Sequence, residues 1–298
     1  MEGKGGEGAA GRSPRRAFTQ IAAENERLIR SGAFAPDWLG KRGQSRMLRQ
    51  CKEVDILRLP DLQNLREGFW ERHKPEDPAA RPVCQVSNED CCTAARRLAD
   101  RNKPLVMNFA NPYSPGGGYL NGAAAQEESI CRRTTLYASL SHPEAYEVYR
   151  FNRMLHRPTD SGCMIWSPHV YIFRDGRLHV SEDVVEISVL SVPAPNLNGP
   201  AAHVEPAEID RVMYRRLQNF LMKAVEEDCR SLVLGAWGCG VFGHDAGRVA
   251  GYFRRALFEE GFGAFFKEIV FAVLDHSVGQ RNFRAFCREF ADLAQIVE

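Results

Sequence analysis

Apolar and polar positions alternate most legibly in the last third of the chain. Glu205 to Asp228 carries apolar residues at helical spacing and predicts an amphipathic helix. Ser231 to Trp237 predicts a buried strand, Asp245 to Glu260 a helix, Ile269 to Leu274 a second buried strand, and Gln280 to Ala294 a final helix. Further upstream, Leu105 to Phe109 predicts a short buried strand ended by Asn111-Pro112. A helix is expected from about Ala123 to Leu140, stopping before His142-Pro143. Met164 to Phe173 is strand-like despite Pro168, Asp175-Gly176 signals a hairpin into Arg177 to Ser181, and Glu186 to Val192 alternates as a strand.

The first third is less regular. Ile21 to Ser31 predicts a helix stopped by Gly32. Val54 to Leu59 reads as a strand, Trp70 is expected in the core, and Ser87 is expected to cap a helix over Glu89 to Arg101. Strands that alternate with helices in this way imply α/β layering around a parallel or mixed sheet. The expected organisation is a glycine-rich disordered tail over residues 1–17, an accessory segment over 18–82 packed on the core, and a catalytic domain over 83–298.

Composition narrows the class without naming a function. The chain has 298 residues, 44% of them hydrophobic and 26% charged, with a formal net charge of +1. That balance provides no global field to recruit duplex DNA or an anionic membrane. No stretch has the length and apolarity of a membrane span, and the N-terminus lacks the apolar core of a secretory signal. Nine cysteines with no CxxC pair and no zinc spacing read as reduced, mostly structural thiols, which points to the cytoplasm or nucleus. The expectation is a monomer.

Two loops carry the chemistry. Residues 108–128 read NFANPYSPGGGYLNGAAAQEE, in which Gly116, Gly117 and Gly118 are followed, after seven residues, by Gln126, Glu127 and Glu128. Glycines let the main chain approach a ligand closely, so their N–H groups can converge on ligand oxygens. Acids near a helix start are also favoured by its dipole alone. Adjacent helical side chains diverge by about 100°, so the two carboxylates are suited to different tasks: accepting from vicinal ribose hydroxyls, and protonating a leaving oxygen. The second loop, Gly235 to Gly243, reads GAWGCGVFG between a strand and a helix, where glycine-rich amides suit phosphate oxygens. It is neither a Walker motif nor a GxGxxG dinucleotide fingerprint. Asp245 fits a helix N-cap, Asp275-His276 ends a strand, and Cys239 is better suited to packing than to nucleophilic attack.

The GGG-x7-QEE pattern resembles the signature of poly(ADP-ribose) glycohydrolases, and together with GAWGCGVFG it is most similar to the microbial-type branch. The Asn-Phe-Ala-Asn before the glycines resembles the asparagine motif of macrodomains. The resemblance runs from about residue 84 to the end, with residues 33–82 expected to be specific to the lineage. It implies a macrodomain-like three-layer α/β fold, with a mixed, mostly parallel sheet flanked by helices and an N-terminal helical extension. By the resemblance, Glu128 is the catalytic acid and Glu127 orients the scissile ribose. Gly116, Gly117 and Gly118 hug that ribose and the diphosphate, and Gln126 and Asn111 stand beside the ligand. Gly238, Cys239, Gly240, Val241 and Phe242 wrap the diphosphate, and Asn282 and Phe283 lie near the adenine. Neither metal nor cofactor is implied. The partners implied are poly(ADP-ribose), ADP-ribose and ADP-ribosylated proteins. A hydrolase for mono-ADP-ribosylated targets and a non-catalytic reader remain alternatives. One departure stands out: a polar Asn-Asp is expected after Gly-Val-Phe, whereas this chain has Gly243-His244-Asp245.

Overall fold

Strands that send alternate side chains to opposite faces build the middle layer of the molecule. In a computed structural model, which describes residues 14–99 and 102–297, the strands form one mixed sheet. The N-terminal part supplies α1 (Pro14–Ser31), α2 (Gly40–Gln50), β1 (Asp55–Leu57), α3 (Leu59–Arg66) and the single-turn α4 (Phe69–Arg72). Next come β2 (Val83–Ser87), α5 (Cys91–Ala99), β3 (Leu105–Ala110), α6 (Gln126–Arg133), α7 (Leu136–Leu140) and α8 (Pro143–Leu155). The hairpin β4 (Met164–Arg174) and β5 (Val180–Pro193) leads into α9 (Pro206–Glu226), β6 (Ser231–Leu234), α10 (Ala246–Arg254), β7 (Glu268–Ala272), α11 (Arg281–Glu289) and β8 (Ala294–Val297).

The strand order is β1-β4-β5-β3-β6-β7-β2-β8. Pairing is antiparallel for β1–β4 and β4–β5, and parallel from β5 through to β8. Alternation decides the two cores. Leu105 and Met107, Leu232 and Leu234, and Ile269 and Phe271 face α9, α10 and α11. Val106, Val233 and Val270 face α5, α6, α7 and α8. A smaller cluster of Ile29, Phe34, Met47 and Phe173 seats the N-terminal helices against the hairpin. The result is the expected three-layer, macrodomain-like sandwich.

Several expectations need correction. Residues 14–17, assigned to the tail, form the first turn of α1, while residues 1–13 lie outside the described residues. The 18–82 segment contributes an edge strand, β1, to the main sheet. Trp70 is 43% exposed because its helix is one turn long and Phe69 takes the inward direction. Ser87 ends β2, and Asp90 caps α5 instead, its carboxylate accepting from the N–H groups of Cys92 and Thr93 at 2.9 and 3.1 Å. The expected Ala123–Leu140 helix splits because Thr134 leaves the helix to bridge Ile172 of β4. Pro143 opens α8, occupying a helical position that needs no donor. Pro168 is accommodated at a register shift in β4, where the ladder does not need its missing N–H. The last helix ends at Glu289, and residues 294–297 form β8 along β2.

Candidate active site

The loops after β3, β5, β6, β7 and β2 all leave the sheet at the carboxyl ends of parallel strands, which is where open α/β sheets collect ligands. They surround a cleft of about 580 Å3. The opening has a specific cause. β3 pairs with β6 only at Leu105 and Val106, after which the two strands part. The Gln126 side chain takes over the free edge: its Oε1 accepts from Phe109 N–H at 2.9 Å and its Nε2 donates to the Met107 carbonyl at 2.8 Å. One amide side chain thus satisfies a donor and an acceptor that would otherwise be bare where the strand flanks the cleft.

Gln126 also sets the start of α6 and so aims the next two residues. Glu127 is buried, with Oε1 accepting from Asn108 Nδ2 at 3.2 Å and Oε2 from Asn111 N–H at 2.8 Å. Burial pushes its carboxyl up to about 8, against the pull of the Asn111 and Asn108 hydrogen bonds and with a further push from the charge of Glu128. Glu128 is also buried; its Oε1 accepts from Gly118 N–H at 2.8 Å, and its Oε2 has no hydrogen-bond partner among the described residues. The two carboxylates converge over Gly117. A Cβ there would lie 2.5 Å from Glu128 Oε1 and 3.1 Å from Glu127 Oε2.

The triple glycine is therefore required residue by residue. Gly116 and Gly117 have φ of +62° and +57°, and Gly118 would drive a Cβ to 2.6 Å from that of Ala123. The expectation that these amides converge on a ligand needs revision: Gly117 N–H donates to Ser114 O at 3.1 Å and Gly118 N–H to Glu128. Asn111 is likewise partly engaged, its Oδ1 accepting from the N–H groups of Tyr113 and Ser114 at 2.8 and 3.0 Å.

The second loop is anchored by side chains that point inward. Trp237 is buried and donates from Nε1 to Val192 O at 3.0 Å. His244 is buried and its Nε2 lies 2.7 Å from Pro195 O; burial pushes its imidazole down, so the neutral ring donates there. Gly238, at φ +78°, leaves room for that ring, since a Cβ would meet His244 Cδ2 at 2.7 Å. His244 is thus a buried brace rather than a substitute ligand contact. The carbonyls of Val241 and Phe242 accept from Asn198 Nδ2 and Leu197 N–H at 2.9 Å each, while the N–H groups of Gly240, Val241 and Phe242 take no bond within the described residues. Val241 is 71% exposed at the tip.

Of the expected site residues, Gln126, Gly238, Gly240, Val241, Phe242 and Asn282 line the cleft. Glu127, Glu128, Asn111 and the three glycines do not line it, although Gln126 and Ser129 beside them do: Asn111 N–H bonds Glu127, Gly118 N–H bonds Glu128, and both carboxylates are buried against Gly117. Cys239 does not line the cleft, and burial pushes its thiol up to about 12, so it is no nucleophile at neutral pH. Phe283 is core, packed between α11 and the sheet. Asp275 caps α11: its carboxylate accepts from Ser277 and Asn282 N–H at 2.9 Å each, and these bonds hold its carboxyl below the usual range even though burial opposes that. Sequence reasoning missed Asn108, whose Nδ2 reaches both Glu127 and Ser191 Oγ and whose buried Oδ1 has no partner among the described residues. It also missed Glu89 and Asp90, which line the far side of the cleft. The strand motif NFAN marks Asn108, but only the fold reveals which asparagine faces inward.

Residues 22–175 match the family model of the microbial-type PARG catalytic domain, PARG being poly(ADP-ribose) glycohydrolase. The match begins ahead of residues 33–82, the stretch expected to be specific to the lineage, and runs through all of it, so that stretch is part of the family's own architecture. No curated protein matches the chain. Among solved structures, it is similar to poly(ADP-ribose) glycohydrolase from Thermomonospora curvata, with 33% identity and a TM-score of 0.83 over 93% of this chain and 100% of that one. The same enzyme bound to the inhibitor ADP-HPD gives 33% identity and a TM-score of 0.81 over the same shares. Poly(ADP-ribose) glycohydrolase from Deinococcus radiodurans in complex with ADP-ribose gives 34% and 0.75, over 84% of this chain and 98% of that one.

Proposed function

The chain belongs to the microbial-type poly(ADP-ribose) glycohydrolase family, and from that premise we propose that it hydrolyses the ribose–ribose O-glycosidic bonds of poly(ADP-ribose) and releases ADP-ribose. The ligands of its structural relatives support the substrate class, because those structures hold ADP-ribose and the inhibitor ADP-HPD. The observation that carries the mechanism is the unequal use of two neighbouring carboxylates. Both oxygens of Glu127 are engaged by the protein, while Glu128 keeps Oε2 free and buried beside the glycine loop.

Glu128 gives a proton to the departing 2′-oxygen of the neighbouring unit as the bond from that oxygen to the anomeric carbon breaks. The bond electrons stay with the leaving oxygen, and the ribose becomes oxocarbenium-like. Water then attacks the anomeric carbon and returns a proton to Glu128, so one carboxyl serves as acid and then base. Gly118 N–H fixes Glu128 without occupying the second oxygen. Glu127 holds the hydroxyls of the scissile ribose. With its carboxyl at about 8 it carries a proton at neutral pH, so it can donate as well as accept, and it does not repel its neighbour. The unpartnered N–H groups of Gly240, Val241 and Phe242 take the diphosphate. Asn282, at the N-terminal turn of α11, stands toward the adenine.

The test is incubation with automodified poly(ADP-ribose) and, separately, with a mono-ADP-ribosylated protein, with free ADP-ribose quantified by chromatography. The expected result is release from the polymer, undiminished by a strong chelator. Glu128→Ala is expected to lose ~10²–10⁴ in rate while still binding ADP-ribose. Wild-type rates in that variant would remove the assignment of the acid, and release from the mono-modified protein alone would replace the polymer as substrate.

A further inference from the structure

The segment from Phe109 to Ser129, which carries Asn111 and the three glycines, contributes walls to two hollows. The strand order puts β6, β7 and β2 to one side of β3, and the cleft lies over their ends. On the β5 side there is a second hollow of about 400 Å3. Its walls are Tyr113 from the loop, Arg153, His156 and Arg157 from the end of α8 and just beyond, and Pro200 from the segment after β5. Side chains of α8 tie the wall of this hollow to the loop that follows Asn111. Asn152 Nδ2 donates to Pro112 O at 2.8 Å and Arg153 donates to Tyr113 O, so α8 grips the loop between Asn111 and Gly116.

The charge of this hollow is uncompensated. Arg157 and His156 are exposed and have no carboxylate partner among the described residues. The nearby acid, Asp160, is buried and already engaged by Arg216 at 3.0 and 3.2 Å. A half-buried aromatic residue beside basic side chains is the combination that holds a base and its phosphates. Glu127 and Glu128 directly follow Gln126 of the cleft wall, and Glu127 is bonded to Asn111, two residues before Tyr113 of the second hollow. A polymer cut at Glu128 has one unit on each side of the cut.

We propose that the Tyr113–Arg157 hollow is a leaving-side subsite that binds the pyrophosphate and nucleoside of the adjacent ADP-ribose unit. The inference rests on the poly(ADP-ribose) reading above. It makes the hollow a determinant of polymer recognition, separate from the cleft that holds the released product.

Arg157→Glu and Arg157→Lys test it on the full chain, using long poly(ADP-ribose) for kinetics and calorimetry with ADP-ribose for product binding. Arg157→Glu is expected to raise KM for the polymer roughly tenfold, the size of one lost hydrogen bond to a charged group. The effect should fall more on KM than on kcat, the salt dependence of KM should flatten, and Arg157→Lys should restore most of the affinity. The Kd for ADP-ribose should not change, because the product fills only the cleft. A polymer KM equal to wild type in Arg157→Glu overturns the subsite, as does an equal loss of ADP-ribose affinity. A wild-type protein that releases no ADP-ribose from polymer overturns the functional reading instead.

Discussion

The two glycine-rich loops look alike in sequence and are built for opposite purposes. In the first, the amides of Gly117 and Gly118 are already bonded within the protein, and the glycines exist so that two carboxylates can press against the main chain. In the second, Trp237 and His244 anchor the base, while the N–H groups of Gly240, Val241 and Phe242 are left unpaired at the rim. The same residue type serves side-chain approach in one place and backbone donation in the other. Glycine count alone therefore does not locate an anion site; the question is whether the amides remain available.

The largest effect that separates the loops is expected from Gly117→Ala. Its methyl group would collide with the Glu128 carboxylate, and its φ of +57° adds ~1–2 kcal/mol of backbone strain. Displacing the acid should cost ~10²-fold in turnover, measured on polymer alongside a lowered melting temperature. Wild-type turnover would mean the carboxylates do not need this approach.

Glu127→Gln sharpens the account of the buried pair through pH. The Glu127 carboxyl is raised from 4.5 to about 8 in the folded state, so above the unfolded value the native protein holds a proton that the unfolded chain releases. Its contribution is complete below about pH 4.5 and is lost as pH rises through about 8. Stability should fall by ~1.4 kcal/mol per pH unit across that window relative to Glu127→Gln. Denaturant melts of both proteins at several pH values measure the difference, and parallel curves would remove the raised carboxyl.

The smallest effect on folding is expected from Gly240→Ala. No atom lies within 4 Å of a Cβ there, so stability should stay within ~0.5 kcal/mol. The backbone N–H is kept in Ala, so any loss comes from the methyl group standing where a ligand must approach: if the diphosphate packs against this loop, ADP-ribose binding should weaken roughly tenfold. Calorimetry on the two proteins decides this; equal affinities would return the rim to a merely exposed turn.

Where packing and local pattern agree, the sequence reveals the fold. β3, β6 and β7 are buried on both faces, and their apolar runs stand out. β8 is hard to see because only one neighbour holds it and most of its residues are exposed, so it carries no apolar signature. The break in the helix after Arg133 depends on Thr134 finding Ile172, a partner distant in sequence. The site divides the same way. Glu127, Glu128 and the glycines are legible because spacing along one segment brings them together. Asn108, the Gln126 clamp and the inward turn of His244 are not, because each is defined by a partner on another strand or loop.

The Gln126 clamp has a kinetic consequence. A side chain tied at both ends to β3 seals the strand edge that β6 leaves free, so the mouth of the enzyme stands open before any guest arrives. Capture needs no prior unzipping, and the encounter rate is set by diffusion and charge instead of by a conformational step.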